Sequence, residues 1–159
     1  ALKKIAVFVD VQNIYYTTKH TFGKHFDYSA FWREIRQIGE IHCAYAYAID
    51  RGDSKQHQFQ NILKNIGFDV KLKPFIQRND GSAKGDWDVG ITIDIMESAA
   101  NVDEIILLSG DGDFDRLLTH VMQKQQVFTR VYGVDQLTAQ SLVRACSLFR
   151  EIDSSLLLK

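Results

Sequence analysis

Ile105-Ile106-Leu107-Leu108-Ser109-Gly110-Asp111-Gly112-Asp113-Phe114 decides the fold. Its apolar run is of strand length, and such runs suit a strand buried on both faces of a parallel sheet. A polar turn punctuated by glycines follows. Phe114, Leu117, Leu118 and Val121 then recur at helical spacing. The chain opens in the same way, with an apolar run over residues 5–9 that ends at Asp10, then Val11-Gln12-Asn13 and a helix near Ile14.

Outward from these two units the alternation continues. Phe31, Trp32, Ile35 and Ile38 mark a helix over 30–38 with Gly39 as its stop, and a strand is predicted over about 41–49. Phe59, Ile62, Leu63 and Ile66 follow helical spacing up to a C-terminal Gly67. Residues 70–75 alternate around Lys71 and Lys73, and Pro74 suits an edge strand or a strand end. A polar loop spans 77–87, and periodicity alone leaves 88–100 open between strand and helix. Beyond 105–121 come a strand over 127–132, a helix marked by Ala139, Leu142, Val143 and Cys146, and an edge strand over 148–152. Alternating strands and helices without repeats imply right-handed crossovers and a mostly parallel sheet covered on both faces, an α/β fold. Ligands of such folds bind beyond the carboxyl ends of the strands.

The 159 residues fit one domain, 1–159, with 45% apolar and 25% charged residues and a single proline. A net charge of −1 excludes a wholly basic nucleic-acid coat and leaves room for a local basic patch. Cys43 and Cys146 read as reduced core thiols, not a disulfide framework. With no stretch of bilayer length and no leader pattern at the start, the expected compartment is the cytosol, without a membrane partner.

If the strands before Asp10 and before Ser109 are neighbours, Asp10, Asp111 and Asp113 converge. Crowding them without a counter-charge costs several kcal/mol or forces a proton onto one of them. A divalent cation resolves the conflict, and hard oxygen ligands without thiolates favour Mg²⁺ or Mn²⁺. The bland alternative is that Asp10 and Asp113 cap the helices that follow them. Asp111 is harder to explain so, because Gly110 and Gly112 flank it and permit close backbone approach or positive φ.

Three blocks then come into view: Phe8-Val9-Asp10-Val11-Gln12-Asn13, Lys84-Gly85-Asp86-Trp87-Asp88 with Asp94 beyond it, and Ser109-Gly110-Asp111-Gly112-Asp113-Phe114. In this order they resemble the signature blocks of the NYN domain family, and the chain looks most like its LabA-like bacterial subgroup. The resemblance implies a PIN-like three-layer α/β/α sandwich, a helix over 88–100, and metal-dependent cleavage of RNA to 5′-phosphate and 3′-hydroxyl ends. It assigns Asp10, Asp88, Asp111 and Asp113 as catalytic and metal-binding, with Asn13 as a polar orienter beside them. Asp94 is the weaker candidate, since six residues on a helix turn it about 120° from Asp88. The Asp86-Trp87 pair departs by one residue from the family's Lys-Gly-x-Asp spacing, so Asp86 stands as the rival to Asp88.

Other chemistries fail on particular residues. Asp111, Asp113 and Asp115 imitate an EF-hand start, but Arg116 and Met122 stand where glycine and glutamate belong. The five histidines show no ligand-pair spacing, and no Walker loop or dinucleotide fingerprint occurs. Asp10-Val11-Gln12 lacks the Asp-x-Asp of a haloacid-dehalogenase-like phosphatase. Lys71, Lys73, Arg78 and Lys84 are candidates to meet substrate phosphates, against a reading as solvated charge. Trp87, Tyr15 and Tyr16 are candidates to stack unpaired bases. The expected activity is hydrolysis of phosphodiester bonds in RNA, single-stranded by preference, with a second copy of the chain or a regulatory protein as further candidate partners. The rival is a PIN-like regulatory module that binds RNA or a protein with weak or no turnover.

Overall fold

Ile5, Ala6, Val7, Phe8 and Val9 expose no surface at all. Their strand, β1 (Lys4–Asp10), lies between two parallel neighbours, so its edges are hydrogen-bonded while helices cover its faces. The computed structural model describes residues 2–74, 76–77, 83–84 and 86–159. From β1 the chain runs through α1 (Val11–Phe22), α2 (Tyr28–Arg36), β2 (Glu40–Asp50), α3 (Ser54–Ile66) and β3 (Asp69–Pro74). A small antiparallel pair follows, β4 (Ile76–Gln77) with β5 (Ala83–Lys84). Then come α4 (Asp88–Ser98), β6 (Glu104–Leu108), α5 (Asp115–Gln125), β7 (Phe128–Gly133), α6 (Gln140–Ala145) and β8 (Leu148–Glu151).

The main sheet is ordered β3-β2-β1-β6-β7-β8, and every pairing in it is parallel. Its strands grow outward from β1 on one side, return through α4 and grow outward on the other. The order therefore reverses between β1 and β6, and at such a point the loops part to leave a crevice at the carboxyl edge. Strand alternation assigns the two faces. Ile5, Val7 and Val9 pack with Ile14, Phe31, Ile35 and Leu63 of α1–α3, whereas Ala6 and Phe8 pack with Ile91, Ile95, Leu118 and Leu142 of α4–α6. The expected three-layer α/β/α sandwich is the result, with each half of the chain supplying one helical layer.

Residues 88–98 are helical, as the family resemblance implies. Gly67 closes α3 at φ 137°, a conformation L side chains resist. The second helix starts and stops earlier than its apolar periodicity suggests. Asp27 accepts a hydrogen bond from the Ala30 amide (3.0 Å) and so caps the start, and the last turn ends at Gln37. The loop expected over 77–87 takes in the end of β4 and all of β5, a short antiparallel piece that polar composition could not signal. Both cysteines are unpaired and half-buried at the margin of one core, more exposed than core thiols would be. Among the described residues no helix is long and apolar enough to cross a membrane.

At the amino end of β6, away from the crevice, Glu104 is fully buried. Lys3 Nζ lies 2.6 Å from one carboxylate oxygen, and Arg130 donates from Nε (2.7 Å) and Nη2 (3.4 Å). Both cations keep part of their surface in water, which limits the desolvation cost of the cluster. Glu104→Gln removes the counter-charge of two cations at once, and we expect urea unfolding to show a loss of about 2 kcal/mol. Unchanged stability would mean that the attraction only offsets the cost of burying the charge.

Candidate metal centre

Asp10 is the last residue of β1, and Ser109 is the first after β6. The parallel register pairs Val9 with Leu108, so the next residue outward on each strand meets its counterpart across the crevice. The Ser109 hydroxyl donates to Asp10 Oδ2 (3.1 Å) and accepts from the Asp111 amide (3.1 Å). Asn13, in the first turn of α1, accepts the Gly110 amide on Oδ1 (2.9 Å). Two polar side chains thus tie the β1 loop to the β6 loop. The family resemblance assigns Asn13 as an orienter, whereas Ser109 escapes notice because a lone serine after a strand carries no signal of its own.

Neither Gly110 nor Gly112 adopts a positive φ. Close approach is their reason: a Cβ on Gly110 would stand 2.6 Å from the Leu137 carbonyl oxygen, and one on Gly112 2.8 Å from Ala139 Cβ. Asp111 Oδ1 accepts the Asp113 amide (2.9 Å) and caps the turn Gly112–Phe114. Asp111 thus has a capping duty that its glycine-flanked place in the sequence does not suggest. Asp10 stands at the N-cap of α1 with no side-chain capping hydrogen bond of good geometry, and Phe114, not Asp113, is the N-cap of α5.

Asp88 opens α4 and comes in from the third side. One carboxylate oxygen from each of Asp88, Asp111 and Asp113 lies within 4.8 Å of the others, a spacing that suits a shared cation. Asp86 stays exposed, its Oδ1 accepting the Asp88 amide (3.3 Å), and it lies outside that set. Asp10 is also outside the three-oxygen set, but its charge is felt by Asp88 and it feels that of Asp111.

Crowding shows in the proton affinities. Burial, hydrogen bonding to Asp111, and the charges of Asp111, Asp86 and Asp10 push Asp88 up to about 7. Burial first, then the charges of Asp111 and Asp86, raise Asp10 to about 6, against the Ser109 hydroxyl and the Asn13 backbone, which favour its ionised form. Hard oxygens, no sulfur and excess negative charge fit Mg²⁺ or Mn²⁺.

The remaining candidates are differently engaged. Asp94 accepts from Tyr47 Oη (2.7 Å) and pairs with Lys71 Nζ (2.7 Å), and Lys71 also lies over the Tyr45 ring. Lys73 donates to the Asp86 carbonyl (2.9 Å) and covers the Trp87 ring at 4.6 Å. Trp87 is itself anchored, donating Nε1–H to the Ala48 carbonyl (2.8 Å) and packing edge-on to Tyr47. Arg78 lies outside the described residues, as does the side chain of Lys84. Tyr15 and Tyr16 are solvent-exposed on α1, edge to face with each other, and Tyr15 stacks on His25. They border an open groove of about 710 Å³ that also takes in Tyr28 and Phe59.

A parallel α/β/α domain that gathers carboxylates from the ends of its two central strands and from the start of a crossover helix has a PIN-like, nuclease-type architecture. The chain belongs to the NYN domain family, whose family model matches residues 4–153. It is 29% identical to Low amplitude and bright protein LabA of Synechococcus elongatus over 162 residues, 94% of this chain and 84% of that protein. The crystal structure of a protein of unknown function from Vibrio parahaemolyticus is 51% identical, with a TM-score of 0.94 over 99% of this chain and 97% of the other. The acidic cluster is compatible with the divalent-metal chemistry general to this type of nuclease.

Raised carboxyl pKa values make folding of the metal-free protein a function of pH with a definite sign. The folded state holds protons that the unfolded chain releases near pH 4, so stability declines from there to about pH 7 and then levels. Chelator-treated melts should show Asp88→Asn gaining on the wild type across that interval, and Mg²⁺ or Mn²⁺ raising the wild-type melting temperature more at pH 7.5 than at pH 5. A stability difference that does not vary with pH would remove the carboxylate crowding.

Proposed function

We propose that the chain is a divalent-metal-dependent ribonuclease that hydrolyses phosphodiester bonds of single-stranded RNA, leaving 5′-phosphate and 3′-hydroxyl ends. The observation that carries this reading is the set of three carboxylate oxygens within 4.8 Å at the reversal point of the sheet. A binding surface for a polyanion would gain from losing that charge, whereas a cation-assisted hydrolase depends on it.

Asp88, Asp111 and Asp113 would hold Mg²⁺ or Mn²⁺. When bound, the ion supplies charge neutralisation at the phosphate and acidifies its coordinated water. The chain's own residues do the rest. Ser109 holds Asp10 through Oδ2, and near neutral pH the Asp10 carboxylate can accept the proton of an attacking water. Asn13 and Ser109 keep the Asp111 loop at a fixed distance from β1, so the carboxylates need not be gathered during turnover. Two unpaired cysteines accord with a reducing compartment, and we place the protein in the cytosol.

A regulatory module with little turnover is favoured by one observation: Lys71 and Lys73 are committed to partners inside the protein and are not free for phosphates. Cleavage of single-stranded RNA with Mn²⁺, Mg²⁺ or chelator separates the two readings. Asp111→Asn keeps an oxygen to cap the Gly112–Phe114 turn yet removes the charge, so we expect metal-dependent cleavage to fall about 100-fold or more, roughly 2.7 kcal/mol in the barrier, with the metal-free melt unchanged or higher. Full activity in a contaminant-free variant would overturn the ligand assignment. RNA binding without cleavage by the wild type would leave the regulatory module standing.

A further inference from the structure

If Lys71 and Lys73 are spoken for, the substrate backbone must meet positive charge elsewhere. Between α5 and α6 lies an open trough of about 470 Å³. Arg116, Thr119, His120 and Gln123 line it from α5, where spacings of three and four residues put them on one helical face, and Ser141 and Arg144 line it from α6. Arg116 and Arg144 are exposed, and among the described residues neither guanidinium has a carboxylate partner. Lys3, Lys71, Arg130 and Arg150, by contrast, are all paired. The one acid in the lining, Asp115, accepts the backbone amide of Arg116 (2.5 Å).

The trough begins where the acidic loop ends. Asp115 is two residues past Asp113, and Ser141 Oγ stands 3.2 Å from the position a Cβ on Gly112 would take. No Phe, Tyr or Trp lines it, so it offers charge and hydrogen bonds but no stacking platform. We propose that this trough carries the sugar–phosphate backbone of the RNA strand away from the metal centre, with Arg116 and Arg144 each on a phosphate and the hydroxyls of Thr119 and Ser141 on the sugars. The assignment rests on the ribonuclease reading. Its consequence is contact indifferent to base identity, because arginine on phosphate reads charge and geometry only.

The test uses the whole chain with a labelled oligouridylate and a mixed-sequence strand of equal length, with Mn²⁺ present. For Arg116→Gln with Arg144→Gln we expect KM to rise about tenfold on both strands while kcat changes less than about threefold. The slope of log KM against log salt should fall by about 1.4, two single-strand phosphate contacts at roughly 0.7 each. Arg116→Lys with Arg144→Lys should restore the slope, since the charge returns. Arg33→Gln with Arg36→Gln, on exposed positions of α2, serves as the matched loss of charge and should leave KM and slope near wild type. If the wild type cleaves and the trough variant keeps its KM and salt slope, the trough assignment alone falls. If the wild type neither cleaves nor binds RNA, the ribonuclease reading falls and takes the trough with it. A kcat loss with unchanged KM would also overturn the proposal, by placing these arginines in the chemistry.

Discussion

The pairing of Val9 with Leu108 in adjacent parallel strands is the constraint on which the remaining geometry depends. It makes neighbours of Asp10 and Ser109, which are far apart in the chain, and through the Ser109 hydroxyl it fixes where the Asp111 amide can stand. Like charges are thereby forced together at one edge of a buried sheet. Folding has to overcome that repulsion, and it does so with two apolar layers that leave β1 with no exposed surface over residues 5–9. The result is elevated proton affinity at the carboxyl edge of the sheet, at Asp10 and Asp88.

Charge elsewhere is divided between holding the fold and facing outward. Glu104 draws Lys3 and Arg130 into a cluster at the amino end of the sheet, Arg150 joins Glu34 and Asp153, and Lys71 of β3 joins Asp94 of α4. The Lys71–Asp94 pair and the Tyr47 hydroxyl hold the middle of α4, while Trp87, packed edge-on to Tyr47 and bonded to the Ala48 carbonyl, holds its start and so helps to aim Asp88. The positive charge of Lys71 and Lys73 is in this way structural, bound within the protein on the α4 side of the acidic ring. A net charge of −1 hides this division entirely.

Much of this was legible before any coordinates. Two short apolar runs, each ending in an aspartate-bearing turn, suited buried parallel strands with a site at their ends, on the condition that the two strands were neighbours, which the register of β1 and β6 supplies. The helical identity of residues 88–98 was not legible from periodicity, since Val89, Ile91, Ile93 and Ile95 fit a strand equally well; the resemblance resolved it. The destinations of Lys71, Lys73 and Asp94 were also hidden. Their partners Tyr47, Trp87 and Asp86 lie on other elements, and spacing along one strand says nothing about which neighbour a flexible cation will choose. The same holds for Gly110 and Gly112, where the sequence narrows the cause to conformation or crowding and only the fold says crowding.

That last point bears on when the site comes into being. A turn built on left-handed glycines would hold its shape by itself, as soon as the chain had passed through it. The loop from Gly110 to Gly112 has no such internal template; the Leu137 carbonyl, the Ala139 amide that donates to the Gly110 carbonyl (3.0 Å) and the Ala139 methyl form its backing. During synthesis, therefore, β1, β6 and the hydrogen bonds that Ser109 and Asp111 make within the turn can already be present while the loop after β6 still lacks its backing. The segment around residues 137–139 acts as the keystone, and a chain truncated before it would keep Asp10 and Asp111 but lose the backing that shapes the loop from Gly110 to Gly112.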